Sequence, residues 1–241
     1  MRKEKFVQEE YYHIYNRTIA NYRIFNDEKS AAKLSQGFLL ANSTKSSKAF
    51  KCLRNNQPKA TCDVALGWEK ALETLKQGEK LVDLLCYVIM PDHYHLLVKE
   101  RKENGIINFV RKCDISISKY INKKNNRKGP LFESRFKAKH VDSNEYLVHL
   151  SAYIQLNPLD VISGREWREH KLNNWSEIKN SLFDYQWSSL KSFFDNNDSA
   201  PALNSLISGQ EIITDQFKNN KEYEEFLKDW SVPESVNNEL D

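Results

Sequence analysis

The hydrophobic pattern of the chain changes period from segment to segment, and each change predicts an element. Tyr11, Tyr12, His13, Ile14 and Tyr15 form an aromatic and β-branched run that predicts a first strand. After a turn at Phe25, Asn26 and Asp27, the residues Leu34, Phe38 and Leu39 recur at helical spacing. Residues 43–60 are rich in Lys, Asn and Ser and include Pro58, so they read as an inserted surface loop. Trp68, Leu72 and Leu75 predict a second helix, with Gly78 just beyond it as a stop. Residues 81–90 (LVDLLCYVIM) are almost continuously apolar, as in a strand buried on both faces. Pro91 and Asp92 interrupt that run and residues 93–98 resume it, which predicts a hairpin.

Ile106, Phe109, Val110, Cys113, Ile117, Tyr120 and Ile121 then trace a long amphipathic helix whose polar positions carry Arg111, Lys112, Lys119, Lys123 and Lys124. Residues 131–141 alternate basic with apolar side chains, the pattern of a half-exposed strand. Asp142 and Glu145 have the spacing of a capping box, with Asp in place of Ser or Thr; the helix they open runs to Asn157, where Pro158 stops it. Trp167, Trp175 and Trp187 mark shorter packing elements beyond. The order β-α-(insert)-α-β-β-α-β-α predicts an α+β domain, an antiparallel sheet with helices on one face.

Composition narrows the function classes. No apolar run is long enough for a membrane span, and the opening MRKEKFVQEEYY has no apolar signal core, so the expectation is a cytoplasmic protein with no membrane partner. None of the seven glycines falls in GxGxxG or GxxxxGK[ST] order, which excludes those nucleotide-cradling loops. Cys52, Cys62, Cys86 and Cys113 contain no CxxC pair and read as reduced structural thiols. The net charge of +3 conceals an asymmetry: residues 99–140 hold 13 Lys/Arg against 4 Asp/Glu, whereas residues 210–241 hold 3 against 9. A basic middle with an acidic end suits a polyanion-binding face, and equally a solvated helix with a solubilising tail.

His93 and His95 are the most informative pair. In a strand, positions i and i+2 share a face, so the two imidazoles project together as half of a metal site. Alone, such a pair suits surface or packing histidines equally well. In the helix ending at Asn157, Tyr153 and Asn157 share a face, offering a phenol and an amide oxygen; a core tyrosine and a helix cap are the plain alternative. His13, His140, His149 and His170 have no paired partner in the sequence and read as structural.

Several motifs resemble the single-tyrosine HUH transposases, in particular the REP-associated tyrosine transposase branch. They are YHIYNR at residues 12–17, His93-x-His95 after an apolar strand and Met-Pro, GPLFESRFKAKHV at 129–141, EYLVHLSAYIQLNP at 145–158 and DYQWSS at 184–189. The resemblance implies a ferredoxin-like nuclease domain over residues 1–195, with the stretch near 43–60 and an acidic extension, 196–241, lacking counterparts. By the same resemblance, His93 and His95 are the paired metal ligands, Asn157 the third ligand and Tyr153 the nucleophile. The implied enzyme nicks and rejoins hairpin-bearing single-stranded DNA through a 5′-phosphotyrosine. It uses a divalent metal, Mg²⁺ or Mn²⁺ before Zn²⁺, and no nucleotide cofactor. A domesticated or non-catalytic hairpin-binding protein of the same fold is the alternative, and the oligomeric state, monomer or homodimer, stays open. Tyr146, one heptad before Tyr153, is the rival nucleophile, with Leu150 where an amide partner is needed. Arg17, Arg111, Lys112, Lys119, Lys123, Arg135, Lys137 and Lys139 are the expected DNA contacts.

Overall fold

The computed structural model describes residues 5–55, 64–164, 174–194 and 206–230. Pro58, Cys62, Trp167 and His170 lie outside the described residues. The elements are β1 (Tyr11–Arg17), α1 (Glu28–Ala41), α2 (Ser46–Asn55), α3 (Val64–Lys76), β2 (Val82–Ile89), β3 (His93–Glu100), α4 (Gly105–Lys124), β4 (Lys137–Val141), α5 (Asn144–Leu156), α6 (Leu159–Ile162), α7 (Trp175–Asp184), α8 (Glu211–Thr214) and α9 (Asn220–Asp229).

The four strands form an antiparallel sheet in the order β2-β3-β1-β4. Strands β1 to β4, with α1 and α4 as crossovers, make the βαββαβ unit expected of a ferredoxin-like domain. Strand alternation divides the core. Tyr12, Ile14, Tyr94, Leu96 and Val98 pack with Leu34, Phe38, Phe109 and Cys113 of α1 and α4. Leu85, Val88 and Leu97 point the other way and pack with Leu150, Tyr153 and Ile154 of α5. The crossover helices therefore share one face, as expected, but the second face is covered too. β2 is apolar along nearly its whole length because it is buried on both sides.

Local chemistry sets the element ends. The buried Glu100 carboxylate accepts the backbone N–H groups of Gly105 (3.0 Å) and Ile106 (2.7 Å), and so caps α4. A Cβ at position 105 would lie 2.2 Å from the Leu81 carbonyl oxygen, so only glycine fits there. The α5 cap is Ser143, whose hydroxyl accepts the Tyr146 N–H at 3.1 Å; the expected Asp142 lies one residue too early.

Two segments depart from the sequence pattern. Residues 46–55, expected as loop, form α2, with Ala49, Phe50 and Leu53 packed against Trp68, Ala71 and Leu75 of α3. The acidic end is not simply a solvated tail: Leu206, Ile213, Tyr223, Leu227 and Trp230 are buried, the last four in the same cluster as α5. The Trp187-Ser188-Ser189 motif covers the open edge of β2, with Ile89 N–H donating to the Trp187 carbonyl (2.9 Å) and Ser189 N–H to the Tyr87 carbonyl (3.0 Å).

Candidate active site

Strand register assembles the site. β1 pairs with β3 so that Arg17 opposes His93, Tyr15 opposes His95 and His13 opposes Leu97. Alternation places all of these on the α5 face, and the rings of His93 and His95 lie perpendicular with centroids 5.0 Å apart. The expected shared face of the two histidines is present. His13, which the sequence pattern marks as structural, is bonded into the pair: its Nε2 lies 2.9 Å from His95 Nδ1, with the ring centroids 5.1 Å apart and the planes 19° from parallel. Its partner lies 82 residues away, so only the strand register reveals it. Burial, assisted by the Lys139 charge, pushes the His13 imidazole down to about 3, which keeps the ring neutral.

On the outer side, His93 Nδ1–H donates to Asp92 Oδ1 at 2.6 Å. Burial alone would raise the Asp92 carboxyl, but the His93 hydrogen bond and the nearby charges of His93 and Arg17 outweigh it and hold the group below its ordinary range. Each of the two histidines is thus held at Nδ1, so coordination by either runs through Nε2.

Helix α5 brings Tyr153 against this face, its ring edge-on to His95 at 5.5 Å and to His13 at 6.5 Å. Tyr146 lies under Lys139, whose ammonium is 4.9 Å over its ring. Asn157 follows one turn after Tyr153 as the helix cap, its N–H donating to the Tyr153 carbonyl at 3.0 Å. Its side chain is fully buried, and among the described residues neither amide atom has a hydrogen-bond partner. Tyr153 itself is only 1% exposed. Trp230 lies against its ring at 6.5 Å and donates its indole N–H to His149 Nδ1 at 3.1 Å. Of the remaining histidines, His140 pairs with Glu10 at 2.9 Å.

A cavity of about 80 Å³ opens beside the histidines, lined by Tyr15, Asn16, Arg17, His93, His95, Glu133, Ser134 and Lys137. Arg17 and Lys137, both expected DNA contacts, sit in its wall, and Lys137 lies 5.6 Å over the Tyr15 ring. Lys139 is next along β4 on the same face, and Arg135 is exposed in the preceding loop. The helical set is not gathered here. Arg111, Lys119 and Lys123 are exposed on α4, which covers the opposite face of the sheet, and the Lys112 ammonium donates to Ser46 Oγ. Glu133 and Ser134 are cavity residues that the sequence pattern does not single out, although both fall inside the GPLFESRF motif.

The donor types present are compatible with the divalent metal that the sequence resemblance implies. Two imidazoles share a face, and a buried amide with both polar atoms unsatisfied is the kind of group a cation completes. Among the described residues no group of three or more His, Cys, Asp or Glu is placed to hold a metal, so the set depends on the Asn157 amide. Among the described residues no helix is long and apolar enough to cross a membrane.

Residues 61–157 match the family model described as transposase, IS200 like. No curated protein matches the chain. A solved structure of a REP-associated tyrosine transposase bound to a REP hairpin is similar to it, at 9% identity and a TM-score of 0.46, over 79% of this chain and 82% of that one. The family match takes in the HxH hairpin, α4, Tyr153 and Asn157, while His13 and Arg17 of β1 lie ahead of it.

Proposed function

From the IS200-like transposase match over residues 61–157, we propose that this chain is a metal-dependent enzyme that cleaves and rejoins hairpin-bearing single-stranded DNA through Tyr153. The observation that carries the reading is the Tyr153 ring set edge-on to His95, which in turn lines a cavity that also presents Arg17 and Lys137. Those two cations bind the phosphates flanking the scissile one. His93 and His95, through Nε2, and Asn157, through its amide oxygen, are the residues that would hold Mg²⁺ or Mn²⁺. When bound, such an ion polarises a phosphate oxygen and offsets developing charge. The Tyr153 phenol, of a type that ordinarily titrates near 10, loses its proton as its oxygen attacks phosphorus. The P–O3′ bond breaks, the proton passes to the departing 3′ oxygen, and the products are a 5′-phosphotyrosine and a free 3′-OH. Rejoining reverses these steps with no nucleotide cofactor, because the phosphotyrosine keeps the ester.

Burial of Tyr153 beneath Trp230 requires the C-terminal segment to move before DNA reaches the phenol. The same burial favours a second reading, a protein that binds hairpins without cutting them. Incubating hairpin DNA and Mn²⁺ with the protein, then mapping any adduct by proteolysis and mass spectrometry, separates the two. The expected adduct is on Tyr153, absent from Tyr153→Phe and retained in Tyr146→Phe. An adduct on Tyr146 would refute the assignment, and no adduct in the wild type would favour the second reading.

A further inference from the structure

His93 and His95 are not held alike. His93 Nδ1 bonds a carboxylate, Asp92, whereas His95 Nδ1 bonds a third imidazole, His13 Nε2 at 2.9 Å. His13 is fully buried in β1, hydrogen-bonded to His95 and with the Tyr15 ring centroid 4.9 Å from its own, contacts that hold the ring in place. A hydrogen bond between two neutral imidazoles has two forms. Either His13 donates and the His95 proton sits on Nε2, or His95 donates from Nδ1 and its Nε2 keeps the lone pair. Only the second form lets His95 bind a cation through Nε2. His13 is not a third ligand, since its Nε2 is committed to His95 and the described residues hold no cluster of three metal-binding acids, thiols or imidazoles.

We propose that His13 is a positioning residue for the metal centre: its Nε2 accepts the Nδ1–H of His95, which fixes the ligating tautomer and the plane of that ring. The inference rests on the reading of His93 and His95 as metal ligands given above. It explains why an imidazole stands in a buried strand where an apolar residue would pack at lower desolvation cost. In the ligating form the His13 proton lies on Nδ1, and that atom is buried with no hydrogen-bond partner among the described residues. A purely structural side chain has no reason to keep such an orphan.

The test uses the full chain and Mn²⁺, with the free ion followed by electron paramagnetic resonance, in wild type, His13→Leu, His13→Gln and His93→Ala. Losing an outer partner of this kind typically weakens metal binding about 10- to 100-fold, which is the loss expected for His13→Leu. His13→Gln, whose side-chain oxygen can take the place of Nε2 as acceptor, restores most of the affinity, and hairpin binding is unchanged in both. Nitrogen NMR of the Mg²⁺-loaded wild type is expected to find the His95 proton on Nδ1. Wild-type Mn²⁺ affinity in a folded His13→Leu overturns the inference, as does a His95 proton on Nε2. If His13→Leu fails to fold, the NMR result on the wild type decides. Undiminished Mn²⁺ binding by His93→Ala refutes the metal reading itself, and with it this inference. Loss in His93→Ala without loss in His13→Leu refutes the inference alone.

Discussion

His93 and His95 stand two residues apart with the carboxylate of Asp92 behind one and the imidazole of His13 behind the other, while the basic residues of the cavity wall come from β1 and β4. In the proposed reading, metal chemistry and phosphate binding therefore fall to different side chains, and substitution can separate them. His93→Ala and His95→Ala are each expected to abolish strand cleavage and to leave hairpin affinity within about threefold, since neither removes a phosphate-binding cation. Cleavage of end-labelled hairpin DNA at limiting Mn²⁺, alongside anisotropy for binding, reads both quantities. Near-normal cleavage in either variant would sink the ligand assignment. At this scale, legibility follows sequence distance. His93 and His95, and Tyr153 and Asn157, declare their shared faces through local spacing of two and four residues. His13 declares nothing, because its partnership is created by the pairing of strands far apart in the chain.

Between elements, the link from the sheet to α4 runs through one carboxylate. Asp114 accepts the Tyr94 hydroxyl at 2.8 Å and the Asn16 amide N–H at 3.0 Å, joining α4 to neighbouring positions on β3 and β1. Burial raises its carboxyl to about 7, with those two hydrogen bonds opposing the rise. A carboxyl whose folded-state value exceeds its unfolded value contributes stability that is fully present below the unfolded value, near 4, and is lost as pH rises toward 7. Asp114→Asn removes that titration, so the wild type should lose on the order of 1–3 kcal/mol relative to the variant between about pH 4 and 7, then run parallel to it above. Thermal melts of both across that range measure the difference; parallel curves throughout would show that Asp114 titrates as an ordinary carboxyl. Elements differ in legibility for related reasons. The βαββαβ order is legible because each strand and crossover helix carries its own period. α2 is not, since its apolar face is Ala49, Phe50, Cys52 and Leu53 set among Lys, Ser, Arg and Asn, and its partner α3 lies across residues the pattern does not bridge. α5 reads as a helix from its sequence, yet nothing local says that it covers the second face of the sheet.

Across the whole molecule, charge and topology restrict how the proposed DNA substrate would approach. Residues of α9 and Trp230 pack on the α5 side, with the Trp230 ring against that of Tyr153, the candidate nucleophile. The cations of α4 lie across the sheet from the histidines. Among the described residues, the cavity mouth, with Arg17 and Lys137, is a positive approach to the HxH pair. Counting Lys and Arg along the sequence points to the whole stretch 99–140, because a linear count does not tell which face of a sheet a helix covers. The two views make different predictions for the salt dependence of hairpin binding. Each phosphate contact contributes a slope of about −0.7 in log affinity against log salt on single strands and about −0.9 on duplex. Arg17→Ala and Lys137→Ala should therefore each flatten the measured slope by roughly that amount, and Lys119→Ala and Lys123→Ala should leave it unchanged. Titrations of a labelled hairpin over a range of monovalent salt, with the four variants in parallel, give the slopes directly. Flattening by the α4 variants would mean that the hairpin stem wraps around to the far face of the sheet. An unchanged slope in Arg17→Ala and Lys137→Ala would remove the cavity mouth as the route by which phosphate reaches Tyr153.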